Sequence, residues 1–128
     1  MINNVNYSYC RNELVLVQAY DDILLAEDLI KSWDILMESQ MISKDILGVV
    51  SDYRSCDFQI DVADFESIYL FIRSNIHAIL NLKFALVLDS PKVAIIQLFI
   101  KRYHLDSIQV FCSMEAAMDW IDEGSRSI

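Results

Sequence analysis

Glycine and proline are scarce in this sequence, with two glycines and one proline among 128 residues. Nucleotide-binding motifs such as G-x-G-x-x-G and the P-loop need several glycines, because only glycine lets the backbone approach a phosphate closely. Neither motif occurs here. The scarcity also favours regular helices and strands that are joined by short connections. The sequence therefore excludes the common phosphate-binding loops and predicts an ordered globular domain.

Histidine and cysteine are also few and scattered. The histidines, His77 and His104, and the cysteines, Cys10, Cys56 and Cys112, form no pair at the spacing of a metal site. Because a metal centre needs three or four converging ligands, we expect no metal and no other cofactor. An odd number of cysteines without an apolar leader predicts a reducing compartment, and hence the cytoplasm.

No catalytic constellation is recognisable in the sequence. The carboxylate pairs fall at expected helix starts, where the helix dipole favours acidic side chains. Ser90 precedes Pro91, and this dipeptide is typical of a helix start rather than of a G-x-S-x-G nucleophile elbow. We therefore expect a protein that is not an enzyme. A hydrolase that uses Ser55, Ser90 and His77 is a third alternative, after the two described below.

The chain is acidic, with a formal net charge of −9 at pH 7. This charge opposes binding to nucleic acids, whose affinity for proteins rests on Lys and Arg side chains that neutralise phosphates. The longest apolar run, residues 93–100, is far shorter than the ~20 residues that span a bilayer. The sequence therefore predicts neither a nucleic-acid partner nor an integral membrane segment.

Apolar periodicity predicts five strands and four helices in the order β-β-α-β-α-β-α-β-α. Val5, Tyr7 and Tyr9 alternate with polar residues, and segment 13–19 follows a tight turn, so the chain is expected to open with an antiparallel hairpin. The three further strands are expected at 46–51, 84–88 and 108–112. Successive strand-to-helix units predict that these strands pair in parallel, with right-handed crossovers.

Residues that cap helices predict where the helices begin. The expected starts are Asp21-Asp22, Asp61 or Asp64, Ser90-Pro91 and Ser113. Segment 93–100 has strand-like propensity, but the cap before it and the cations after it favour a helix. Gly124 is expected to end the last helix. The chain is thus predicted to form one domain over 1–124, with a frayed tail at 125–128.

The expected sheet also predicts a core and a candidate site. The core residues are expected to include Val15, Val17, Leu47, Val49, Leu86, Leu88, Val110 and Phe111. Residues 52–60 are expected to form a loop at the carboxyl end of a strand, where open α/β folds bind ligands. The candidate ligand or partner residues in this loop are Asp52, Arg54, Ser55 and Asp57. The alternative is a polar loop with local ion pairs.

Several of these segments resemble the STAS-like superfamily, whose founding members are anti-sigma-factor antagonists. The matching segments are the strand end at 50–54, the helix from Asp61, the strand at 84–89 with Ser90-Pro91, and the ending at 108–121. The last of these is similar to the ending of uncharacterised STAS-like proteins. The resemblance implies an α/β domain with a mixed five-stranded sheet and four helices. It also implies a non-enzymatic, cytoplasmic protein-interaction and regulatory module.

The resemblance stops at the phosphorylated serine of the regulatory members, which lies in an Asp-Ser-Ser/Thr-Gly motif. The corresponding segment, 51–61, has no such motif, so the implied module acts on an unknown protein partner without this phosphorylation switch. A related architecture in Sec14-type lipid-binding domains implies an alternative, a binder of a small apolar or acyl ligand. The wide apolar arc of the second and third helices also favours this alternative.

The third helix is apolar on nearly every side. A helix of this kind is normally buried, and each large apolar side chain left exposed forgoes about 1.5–3 kcal/mol. One stripe can pack on the sheet, whereas the rest needs either the adjacent helix or a second copy of the chain. We expect a homodimer, with Leu70, Phe71, Ile95, Leu98 and Phe99 at its seam.

Overall fold

A five-stranded sheet whose spatial order follows the chain order, β1-β2-β3-β4-β5, forms the centre of the molecule. The computed structural model describes residues 5–42, 45–75, 77, 82–89 and 92–126. The strands are β1 Val5–Cys10, β2 Val15–Leu24, β3 Gly48–Phe58, β4 Lys83–Val87 and β5 Ile108–Phe111. The helices are α1 Ala26–Glu38, α2 Phe65–Ser74, α3 Val93–Arg102 and α4 Met114–Arg126, and a 3₁₀ turn, Val62–Asp64, precedes α2. Within these residues, no helix is long and apolar enough to cross a bilayer.

The pairing confirms the expected mixed sheet. Strands β1 and β2 form an antiparallel hairpin, and β2 through β5 are parallel to one another. Because successive strand residues point to opposite faces, the sheet has two apolar faces. One face packs under α1, α2 and α3, with Leu16, Val49 and Phe84 at its centre. The other packs under α4, where Val17 and Val50 form one buried cluster with Ala117 and Ile121 of the helix.

The predicted helix start at Asp21-Asp22 is wrong. Strand β2 continues through both residues, and α1 begins only at Ala26. Two local preferences compete here, because aspartate is a favoured helix cap whereas ladder pairing satisfies the backbone over a longer stretch. The pairing of Asp21–Leu24 with Ser55–Phe58 of β3 prevails. The helix is instead capped by the Asp28 side chain, which accepts a hydrogen bond from the Leu25 N–H at 3.1 Å.

The predicted loop at 52–60 is also wrong over most of its length, because β3 runs on to Phe58. Its ladder contains one irregularity: Ala19 pairs with Asp52 but Asp21 pairs with Ser55. Strand β3 therefore has one extra residue between these pairs, which is a β-bulge. The bulge shifts the alternation of side chains by one residue. Sequence periodicity alone therefore predicts an irregular segment here.

Other expectations have mixed outcomes. Segment 93–100 lies in a helix, as expected, and Ser113 Oγ accepts a hydrogen bond from the Ala116 N–H at 3.1 Å, as a cap does. Gly124 does not end the last helix, because α4 continues to Arg126. Three expectations fall outside the described residues. They are the cap at Ser90-Pro91, the positions Ile76 and Ile79 on the inner face of the second helix, and residues 127–128 of the tail.

The predicted core is only partly right. Val15, Val17, Val49 and Leu88 are buried. The other four residues, Leu47, Leu86, Val110 and Phe111, are half-buried. Val110 and Phe111 lie on β5, which, among the described residues, has a strand on one side only. Leu86 lies on an inner strand, and its exposure has a different cause, which the next subsection describes.

Gly48 lies at a close approach between the sheet and α4. A Cβ atom at this position would lie 2.7 Å from the Lys83 carbonyl oxygen and 3.0 Å from the Ile121 side chain. The first contact is with backbone of the neighbouring strand, which cannot move without disturbing the β3–β4 ladder. Glycine therefore lets α4 settle directly onto the sheet.

We expect the substitution Gly48→Ala to lower the free energy of unfolding by about 1–3 kcal/mol, the usual range for overpacking a filled core. Urea denaturation of the purified variant measures this change. The matched control is Ser8→Ala, because Ser8 is exposed and pairs with Val17 on the same face of the sheet. Equal stability of the two variants would contradict the close approach at Gly48.

Candidate functional site

An apolar cavity of about 70 Å³ lies between the sheet and helices α1, α2 and α3. Its lining on the sheet side comes from β3, β4 and β5, and includes Tyr53, Phe84, Leu86 and Ile108. On the other side the three helices contribute Leu, Ile, Phe and Trp side chains. The half-buried state of Leu86 follows from this arrangement, because its side chain faces the cavity instead of a neighbouring group.

Aromatic rings account for the incomplete packing in this layer. The Trp33 ring packs on Phe84 with centroids 4.8 Å apart, and the Phe65 ring meets Phe99 edge-on at 5.0 Å. Rings of this size hold helices at a fixed distance from the sheet and from each other, and they have few rotamers with which to fill a remaining gap. A cavity under the helices is the result.

A buried polar network borders the cavity beneath α1. The rings of Tyr20 and Tyr53 stack at 4.8 Å. The Tyr20 hydroxyl and Ser32 Oγ lie 2.6 Å apart. Since Ser32 donates its own proton to the Leu29 carbonyl at 2.8 Å, Tyr20 is the donor between them. Burial raises the pKa of both tyrosines, well above the ordinary value for Tyr20, so both remain neutral at any physiological pH.

Gln18 extends this network across the sheet. Its side chain is fully buried, and Nε2 donates to Ser51 Oγ at 2.8 Å. The amide oxygen Oε1 has no hydrogen-bond partner among the described residues. A buried acceptor without a partner costs about 1–3 kcal/mol, so Gln18 is a destabilising choice for packing alone. The sequence contains a signal for this buried amide. Gln18 stands midway between Leu16 and Tyr20, so the two-residue period of the strand places all three side chains on the face that meets the core.

The segment predicted to be a ligand loop contains a local ion pair, as the alternative interpretation of its sequence predicted. Arg54 forms a two-point ion pair with Asp52, with Nε–Oδ1 and Nη2–Oδ2 distances of 2.9 and 3.0 Å. The Arg54 backbone N–H also donates to Asp52, at 3.1 Å. Partial burial would raise the pKa of Asp52, but these bonds outweigh it and hold that pKa below its ordinary value. The structure thus brings Asp52 and Arg54 together as a local ion pair.

The other two residues of the predicted loop lie farther along the ladder. Ser55 and Asp57 are both exposed, and Asp57 accepts a hydrogen bond from Gln59 Nε2 at 2.8 Å. The pairs Asp21–Ser55 and Ile23–Asp57 place them beside β2. The role of all four residues in binding a ligand or partner stays a prediction.

The residues predicted for a dimer seam do not share one exposed surface. Phe99 is only 7% exposed and packs on Phe65, so its place in an exposed seam is wrong. Phe71 is half-buried and lines the cavity, and Ile95 is half-buried. Leu70 and Leu98 are exposed, at 51% and 44%. The adjacent helix, which was the other neighbour considered, covers Phe99.

The sequence predicts no metal site, and the structure describes the surroundings of the possible metal ligands and of the Cys56 thiol. Within the described residues, no three or more His, Cys, Asp or Glu side chains are grouped as a metal would require. Cys56 is half-buried, and its thiol donates to the Tyr53 carbonyl at 3.2 Å. Burial, and then the nearby carboxylates of Asp52, Asp57 and Asp21, raise the pKa of this thiol to about 11. Cys56 is therefore a poor nucleophile.

No protein-family model matches this chain, and no curated protein matches it. Among solved structures, it is similar to an uncharacterised protein of the DUF3478 family from Shewanella loihica PV-4, which is described as having a SpoIIAA-like fold. The TM-score is 0.54, the sequence identity is 15%, and the alignment covers 91% of each chain. At this identity the likeness concerns the fold alone. It confirms the STAS-like architecture that the sequence predicted.

We expect Cys56 to be alkylated far more slowly than Cys112, which is exposed. With a pKa of about 11, roughly 0.1% of the Cys56 thiol is ionised at pH 8, and the thiolate is the reacting species. Peptide mapping after timed treatment with iodoacetamide compares both cysteines in one molecule. The Cys56 rate should rise about tenfold per pH unit up to pH 10, and urea should abolish the difference. Equal rates in the folded protein would contradict the raised pKa.

Proposed function

We propose that this protein is a non-enzymatic binding module whose cavity takes a small apolar molecule. The cavity of about 70 Å³ between the sheet and the three helices carries the proposal. Dry apolar cavities bind apolar guests, because water inside them would lose its hydrogen bonds. The related architecture of Sec14-type lipid-binding domains is consistent with the same class of ligand.

The size of the cavity limits the ligand. An engineered apolar cavity of ~150 Å³ holds benzene or xenon, and this cavity is about half as large. It fits xenon or the last two or three carbons of a chain, and a longer acyl chain would have to displace Phe71 or another lining side chain. Each buried methylene contributes about 0.8 kcal/mol, so such a ligand binds weakly unless the rest of it contacts the protein.

We expect xenon to bind in the cavity and the substitution Leu86→Phe to abolish that binding. The larger side chain grows into the cavity that Leu86 lines. Methyl NMR spectra recorded under increasing xenon pressure measure the effect, with shifts expected at Ile68, Leu86 and Ile108. Benzene, applied at millimolar concentration, then shows whether the cavity can widen.

The matched control is Leu98→Phe, the same substitution at an exposed position of α3. Xenon shifts that persist in both variants, or that vanish in both, would overturn the cavity proposal. Native mass spectrometry of the protein from its own cells adds an independent readout. A retained small molecule that Leu86→Phe loses and Leu98→Phe keeps would identify the ligand.

A protein-interaction and regulatory role is the second candidate function. Large apolar side chains that are at least two-fifths exposed favour it. They are Tyr9, Ile23, Leu25, Ile35, Val62, Leu70 and Leu98. Where such side chains lie together in one contiguous patch, they commonly mark an interaction surface. On this proposal the protein acts in the cytoplasm on a protein partner, without the phosphorylation motif of the regulatory STAS proteins.

A homodimer is the simplest form of such an interaction. If Leu70 and Leu98 lie at its seam, Leu98→Glu should turn the dimer into a monomer without loss of secondary structure. Light scattering at micromolar concentration, together with circular dichroism, measures both properties. The control is Ile35→Glu, an equally exposed change on α1. A monomeric wild-type protein would contradict the dimer.

A further inference from the structure

The strands β2 and β3 extend beyond the rest of the sheet. Strand β4 pairs with β3 only as far as Asp52, whereas the β2–β3 ladder continues to the pair Leu24–Phe58. Leu24 and Phe58 are buried on the side of the main core. In the pair before them, Ile23 and Asp57 point to the opposite side. Ile23 is 51% exposed there.

This opposite side of the extension, here called the outer ladder face, consists of Asp21, Ile23, Ser55 and Asp57. All four side chains are exposed. On the same side of the sheet, α4 packs lower down, on Val15, Val17, Val50, Ala85 and Val87. The outer ladder face is therefore an uncovered sheet surface with a large apolar side chain between two carboxylates.

The charge around this face has one sign. The segments 21–24 and 55–58, which the ladder pairs with each other, contain three carboxylates, Asp21, Asp22 and Asp57, and neither Lys nor Arg. Arg54, which precedes Ser55 in the chain, is engaged by Asp52. After burial and Asp52, the carboxylates of Asp57 and Asp21 also raise the pKa of Cys56, which is the effect of a negative field at this end of the ladder.

We propose that the outer ladder face docks a basic segment of a partner protein, whose apolar side chain covers Ile23 and whose Lys or Arg side chains pair with Asp21 and Asp57. Charge complementarity selects this occupant. A second copy of the chain would bring the same negative face, and nucleic acids or anionic lipids would be repelled. The proposal rests on the second candidate function and is independent of the cavity.

The probe for this surface is a synthetic amphipathic peptide of Leu and Lys, with a Leu–Glu peptide and a Ser–Lys peptide for comparison. Calorimetry at low salt compares the triple variant Asp21→Asn/Asp22→Asn/Asp57→Asn with the wild type. Asn tolerates the left-handed conformation of residue 22, where φ is 63°. The control triple variant, with an equal change of charge, is Asp34→Asn/Asp106→Asn/Glu115→Gln, at exposed positions elsewhere.

We expect the Leu–Lys peptide to bind about tenfold more weakly to the ladder variant, from two lost surface charge pairs at Asp21 and Asp57 and the removal of the neighbouring charge of Asp22, and less than twofold more weakly to the control. Ile23→Ser should also weaken binding, whereas Ile35→Ser should not. Equal weakening by both triple variants, or equal binding of the Ser–Lys peptide, would overturn the proposal. Leu–Lys binding that is unchanged in all variants would overturn this face but leave an interaction role elsewhere on the protein. No binding of any peptide would overturn the proposed face and count against the interaction role, while xenon tests the cavity separately.

Discussion

The parallel ladder between β2 and β3 is the interaction on which the rest of this structure depends. It aligns Val15 with Gly48 and continues to Leu24 and Phe58, so the two longest strands act as one rigid ribbon. Strand β1 joins one edge of this ribbon, and β4, followed by β5, joins the other. The register of the ladder also decides which side chains become neighbours in the core, because a shift by one residue would turn each strand over.

That register places polar groups in contact inside an apolar layer. Gln18 pairs with Ser51 across the ladder, and Tyr20 and Tyr53 stack just beyond them. Buried hydrogen bonds of this kind contribute little net stability, but misplacing them is costly. They therefore favour this register over its alternatives. The cavity lies beside them, so its position relative to Tyr53 is fixed by backbone pairing rather than by loose packing.

The sequence predicts those features of the fold that local chemistry determines. The opening hairpin, the parallel strands, the Ser113 cap and the helical state of 93–100 follow from alternation, capping residues and charge. The length of β2 and β3 does not, because Asp21-Asp22 favours a helix start locally and is overruled by pairing with a distant segment. The second half of β3 is not predicted either, because the bulge near Arg54 interrupts the alternation of its side chains and the strand is held by pairing with a distant segment. Phe99 and the cavity depend on how three helices meet, which no single stretch of sequence specifies.

The bulge in β3 has a further consequence for how the protein behaves at high concentration. Beyond Asp52, within the described residues, β3 has no strand beside it on the β4 side, and a bare strand edge can recruit strands from other molecules. Here the Arg54 N–H is bonded to the Asp52 carboxylate and the Tyr53 carbonyl to the Cys56 thiol. These two groups belong to one trans peptide and point in opposite directions, so one backbone group on the bare edge is occupied, and the bulge breaks the regular spacing of the others. The segment that carries the candidate partner residues is in this way protected against aggregation by strand addition.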